Sequence, residues 1–164
     1  MLTLNHATNR RLLLASLIFL ALPGRALARN DDPGDFVAEI YRTVGPEGDA
    51  SIFFDEKMRK RFLSRRLRAT IGAMLKRTPK GDAPDLDFDP VANGNDPSVH
   101  DLRIKTESNA GKRAVVVADF LSHQDTVRSV LRYILVRENG WKVDDIVASG
   151  KNEWQVSKII EGRP

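Results

Sequence analysis

The sequence predicts a single α+β domain over residues 33–160, with a curved antiparallel four-stranded sheet packed on N-terminal helices and a short C-terminal helix. Three observations carry this. Apolar residues recur every three or four positions up to about residue 77 and every second position from about residue 102, the periods of a helix and of a half-buried strand. Only short turns separate the alternating segments, so there are no crossover helices to make neighbouring strands parallel. Asn139-Gly140, set between two alternating runs, is a type I′ hairpin signal.

The chain begins with a segment that stands apart from this domain. Asn9-Arg10-Arg11 precedes the run Leu12–Leu22, which is apolar except for Ser16, and Pro23-Gly24 leads to the small-x-small triplet Ala26-Leu27-Ala28. This is the order of a signal peptide over residues 1–28, cleaved after Ala28, and it predicts a periplasmic or secreted protein. At about 1.5 Å per residue the run spans roughly 16 Å, half the hydrocarbon thickness of a bilayer, so no integral membrane anchor is expected. Arg10-Arg11 followed by Leu13 and Leu14 also resembles a twin-arginine leader, and the Sec and twin-arginine routes stay open. The chain has no cysteine, which excludes an acyl anchor at the cleavage site and any disulfide. Removing the leader takes away three arginines and no acid. The whole-chain charge of +4 falls to 23 basic against 22 acidic residues, so the high pI does not imply a nucleic-acid partner.

Within the domain, Phe36, Val37, Ile40, Tyr41 and Val44 mark a first helix that stops at Gly45-Pro46. A longer helix is expected from about Phe54 to Arg77, its apolar stripe running through Phe62, Leu67, Ile71 and Met74. Residues 79–100, rich in Pro, Gly, Asp and Asn, should be irregular. Strands follow at 102–108, 113–121, 127–138 and 141–147, and a final helix at about 152–160.

Phe88-Asp89-Pro90-Val91-Ala92-Asn93-Gly94-Asn95-Asp96, the strand meander, and Asn139-Gly140-Trp141-Lys142-Val143-Asp144-Asp145-Ile146 together resemble the exported bacterial domain-of-unknown-function 3828 family, within the nuclear-transport-factor-2-like, or cystatin-like cone, superfamily. The resemblance covers about residues 33–160. It implies a cone-like fold with a pocket between sheet and helices, in a superfamily that holds isomerases, hydrolases and many non-catalytic binders. It implies no catalytic residues, and it suggests a homodimer through the open sheet face.

Two groups of candidate residues stand out. Asp119, Arg132, Tyr133 and Asp145 interrupt apolar strands, and a carboxylate facing a pocket would have a raised pKa and could act as a general base. The alternative is ion pairing across neighbouring strands. The second group is the basic run on the long helix, with Arg61, Arg65, Arg66 and Arg68 at its centre, either an anion-binding surface or a solvated face balanced by Asp82, Asp85, Asp87, Asp89, Asp96 and Asp101. Asp85, Asp87 and Asp89 have the spacing of calcium-loop ligands, but Pro90 stands where the turn needs glycine. His100 and His123 lie apart without zinc-ligand spacing, Ser64 and Ser129 lie on no nucleophile elbow, and no glycine-rich phosphate loop occurs. No metal, cofactor or nucleic acid is expected.

The first functional expectation is therefore an exported non-catalytic binding module whose pocket takes a small ligand or a partner segment. The alternatives are a pocket enzyme of isomerase or hydrolase type using Asp119 or Asp145, and an envelope interaction or immunity-type protein acting through the basic helix. A pocket filled by Phe120, Tyr133 and Trp141 would exclude the enzyme.

Overall fold

The computed structural model describes residues 31–45, 51–95, 98–122, 128–150 and 152–162. The leader expected over residues 1–28 lies outside them, as do Asp96 and His123. Helix α1 (Pro33–Val44) contains the expected positions Phe36, Val37, Ile40, Tyr41 and Val44 and starts three residues before the first of them. Asp32 caps it by accepting from the backbone N–H groups of Gly34 and Asp35 at 2.7 and 3.1 Å, and Pro33 sits in the first turn, where no intrahelical donor is needed. Gly45, at φ 79°, ends it in a conformation that favours glycine.

The expected long helix is two helices, α2 (Glu56–Phe62) and α3 (Arg65–Arg77). The break has a physical cause. Leu63 turns extended and forms a parallel bridge with Val143, and the next residue, Ser64, caps α3 by accepting from the Leu67 N–H at 3.0 Å. A serine followed by a helix-forming run competes with the preceding helix for the backbone, and contact with the sheet decides in favour of the cap.

Past residue 100 the chain is a meander. Strands β1 (His100–Asn109), β2 (Arg113–Leu121), β3 (Ser129–Arg137) and β4 (Trp141–Ala148) pair antiparallel in chain order. A fifth strand, β5 (Trp154–Gln155), lies against β4, and helix α4 (Val156–Ile160) follows it. The sequence reading put residues 152–155 in that helix and counted four strands. Two residues are too few for period 2 to register. The β3–β4 connection is Glu138–Gly140, with both Asn139 (φ 58°) and Gly140 (φ 112°) left-handed.

Alternation separates the two faces of the sheet. Ala114, Val116, Ala118 and Phe120 on β2, and Leu131, Tyr133 and Leu135 on β3, are buried, and they meet Phe36, Val37 and Ile40 of α1 and Leu67, Ile71 and Met74 of α3 in one core. Trp141, Val143 and Ile146 of β4 complete it. A bulge between the Ile134–Asp145 and Leu135–Val143 pairs leaves Asp144 as the extra residue on β4.

The segment before β1 carries a closed turn in which Asp89 and Gly94 exchange backbone hydrogen bonds of 3.1 and 3.3 Å. Pro90, Val91 and Ala92 are buried, and the Tyr41 hydroxyl donates to the Val91 carbonyl at 3.2 Å. The Asp-Pro-Val-Ala-Asn-Gly sequence thus forms a plug on the core. No described helix is long and apolar enough to cross a membrane.

Candidate functional site

The four strand residues that the sequence offered for a pocket are not brought together. Tyr133 points into the core, where its hydroxyl donates to that of Tyr41 at 3.0 Å and the two rings meet nearly edge-on. Burial pushes both phenols well above their ordinary value. Arg132 lies on the opposite face, paired with Glu107 at 3.1 Å and donating to Ser149 at 2.8 Å. Asp119 is on that face too and accepts from Arg128, which also bridges to Asp101 at 2.6 Å. Arg128 holds the exposed Asp101 carboxyl below its ordinary value.

Asp145 is buried and fully engaged. It accepts from the Ser157 N–H at 3.1 Å, the Ser157 hydroxyl at 2.5 Å and the Gln155 amide at 2.6 Å. Gln155 makes no cap hydrogen bond with its own side chain, so a carboxylate from β4 caps α4 in its place. Asp145 is buried and Asp119 lies half-buried on the face away from the core, while Phe120, Tyr133 and Trp141 are buried in the core.

The basic residues arrange themselves differently. A cleft of about 510 Å³ opens at the corner between α2 and α3, lined by Lys60, Arg65, Arg68, Glu138, Asn139 and Lys142. A second hollow of about 330 Å³, sharing Lys60, Arg65 and Arg68 with it, carries it on toward Glu56, Arg59 and Ala69. Four of the six residues lining the main cleft are cations and one is an anion. Two of the cations are held by partners on or beside α2. Lys142 donates to the carbonyls of Arg61 and, at 3.4 Å, Lys60, meeting the negative end of α2. Lys60 pairs with Glu56 one turn back at 2.6 Å.

Arg65, Arg66 and Arg68 crowd the first turn of α3, which holds no acidic residue. Cations there oppose the helix dipole, at about 0.3–1 kcal/mol each, so the sequence breaks a local rule at this point. Two of the three are offset from the sheet. Asp144 accepts from Arg66 through both oxygens at 3.1 Å and from the Ser64 hydroxyl at 2.6 Å. The Glu138 carboxylate accepts from the Arg65 backbone N–H at 3.1 and 3.3 Å and lies 3.4 Å from its Nε. Arg68 reaches only the Ser64 carbonyl, at 3.4 Å, and no carboxylate among the described residues pairs with it.

Of the described acids in the stretch expected to balance this run, only Asp85 does so, pairing with Arg77 at the far end of α3, while Arg61 pairs with Glu39 of α1. Apart from Glu56, one turn before Lys60, and Asp85, the counter-charges come from α1, β4 and the β3–β4 turn, which no local pattern in the sequence reveals. The sequence also missed Lys142, Glu138 and Asn139 as part of this corner. Their only signal was the hairpin itself. Among the described residues no group of three or more His, Cys, Asp or Glu is placed to hold a metal ion. No family model, no curated protein and no solved structure matches this chain.

Proposed function

We propose that this protein is an exported, non-catalytic interaction module that captures an anionic partner through the basic cleft at the α2–α3 corner. The observation that carries the reading is Arg68, a cation without a carboxylate partner among the described residues, facing a cleft that it shares with Lys60, Arg65 and Lys142. The placement of the carboxylates supports it from the other side. A pocket enzyme needs an acid or base beside open space between sheet and helices, whereas the hollow of about 470 Å³ between α1 and β1 is lined by Ala38, Tyr41, Arg42, Gly45, Val99 and Leu102 and holds neither Asp119 nor Asp145. Asp145 spends its oxygens on capping α4 and Asp119 spends one on Arg128, so neither is placed as a general base. Export, with the leader removed after Ala28, and kinship with cone-fold proteins belong to the same reading and rest on the sequence features that suggested them.

Attraction of this kind is electrostatic and falls with salt. In titrations of polyglutamate, dextran sulfate and phosphatidylglycerol vesicles, at least one should bind at low salt and be released at high salt. Arg68→Gln removes the charge and almost no internal contact, and should weaken that binding about tenfold, equivalent to about 1.4 kcal/mol, at unchanged Tm. Arg103→Gln, on β1 and outside the cleft, serves as the control. Equal losses in the two variants would mean that diffuse charge, and not the cleft, holds the ligand.

A further inference from the structure

The cleft contains its own model of a ligand. Glu138, in the turn between β3 and β4, sends its carboxylate to the start of α3, where it meets the Arg65 backbone N–H and lies beside the Arg65 guanidinium. Its side chain is 24 % exposed and that of Arg65 81 %, so the carboxylate is settled in the cleft wall while the arginine reaches outward. Glu56 stands in the adjoining hollow, paired with Lys60. The hollow therefore runs from one internal carboxylate to another, past Arg68, the cation that neither satisfies.

Building on the proposed anion capture, we propose that the partner is a carboxylate-rich peptide segment lying along this groove, and that Glu138 is a resident competitor which the incoming carboxylate displaces from the start of α3. Three features favour a peptide over a phosphate-bearing surface. The position already taken in the cleft fits a carboxylate. Glu56 and Glu138 repel a ligand of high charge density more than one whose single charges are spaced along a chain. The cations line a recess between two helices and a turn, which suits a strand-like ligand, and Ala69 leaves room at its edge. Displacing Glu138 exchanges one carboxylate for another at the Arg65 N–H and guanidinium, so most of what is lost is regained from the ligand.

The test is calorimetric titration of the purified chain with acetyl-hexaglutamate amide, inorganic tripolyphosphate and phosphatidylglycerol vesicles, using wild type, Glu138→Gln and Arg68→Gln. Glutamine keeps an acceptor for the Arg65 N–H but removes the charge, so Tm should hold. Glu138→Gln should bind hexaglutamate about fivefold tighter than wild type, and Arg68→Gln about tenfold weaker. Glu138→Ala should shift affinity in the same direction as Glu138→Gln, which separates competition from helix capping. Unchanged or weaker peptide binding in both Glu138 variants overturns the competitor, and tighter binding of tripolyphosphate or vesicles than of the peptide overturns the ligand class. Either result leaves anion capture standing as long as Arg68→Gln still lowers affinity, whereas insensitivity to Arg68→Gln removes the capture reading itself.

Discussion

Asp89 shows how much a single side chain can be asked to do. It closes the plug turn by accepting from the Val91 N–H at 2.8 Å, and half-buried there its carboxyl is pushed up from the ordinary 3.8, chiefly by lost hydration. A carboxyl raised in the folded state favours folding when protonated. Its contribution is complete below pH 3.8 and lost as the pH rises through the raised value. Asp89→Asn keeps an acceptor for Val91 and removes the poorly hydrated charge, so it should be more stable than wild type by about 1 kcal/mol at pH 7. That advantage should vanish below about pH 4 in thermal melts across pH, and a constant difference between the two proteins would contradict the assignment. The sequence marked Asp89 as one acid of the balancing stretch, at calcium-loop spacing and within the family-like motif, but not as a buried group. Its burial depends on the Tyr41 hydroxyl reaching the Val91 carbonyl from 50 positions away, a contact that no spacing rule encodes. The faces of β2 and β3 were legible because alternation is local. That Tyr133 would meet Tyr41 and fill the interior was not, because it depends on how α1 lies on the sheet.

At the scale of elements, the corner between α2 and α3 organises both packing and charge. Ser64 is buried, caps α3 through Leu67 and donates to Asp144 on the β4 bulge, so one hydroxyl joins helix start to sheet. Ser64→Ala should cost about 1–2 kcal/mol and lower the urea midpoint without changing the slope of the transition. An unchanged midpoint would show that the Leu63–Val143 bridge alone sets the break. The break could have been read from Ser64, a good cap residue directly before a helix-forming run. The continuous apolar stripe from Met58 to Met74 argued more strongly for one helix, because Leu63 is apolar whether it is helical or bridged to the sheet. The first edge of the sheet has its own protection. β1 carries register irregularities near both ends and the charged residues Arg103, Lys105 and Glu107, features that discourage pairing with another chain.

At the scale of the whole molecule, charge and leader make separate claims. Residues 29–164 carry 23 basic and 22 acidic residues, yet nine of the cations lie on α2 and α3, so the proposed capture rests on the cleft and not on the net charge. If the leader is processed as read, intact-mass and N-terminal analysis of protein from the extracytoplasmic fraction of its own host should find a chain starting at Arg29. A chain starting at Met1 in that fraction would count against cleavage. The meander has a further effect, on timing. Every strand bonds to the one before or after it along the polypeptide, so the sheet can zip up hairpin by hairpin with little loop entropy to overcome. The oily sides of α1 and α3, however, are synthesised earlier and find their cover only when β2 to β4 arrive. A chain threaded outward with its front end first would present those helices bare to the far side of the membrane until the rest has come through. On such a route that interval, and not the finished fold, is when the chain would most need an escort.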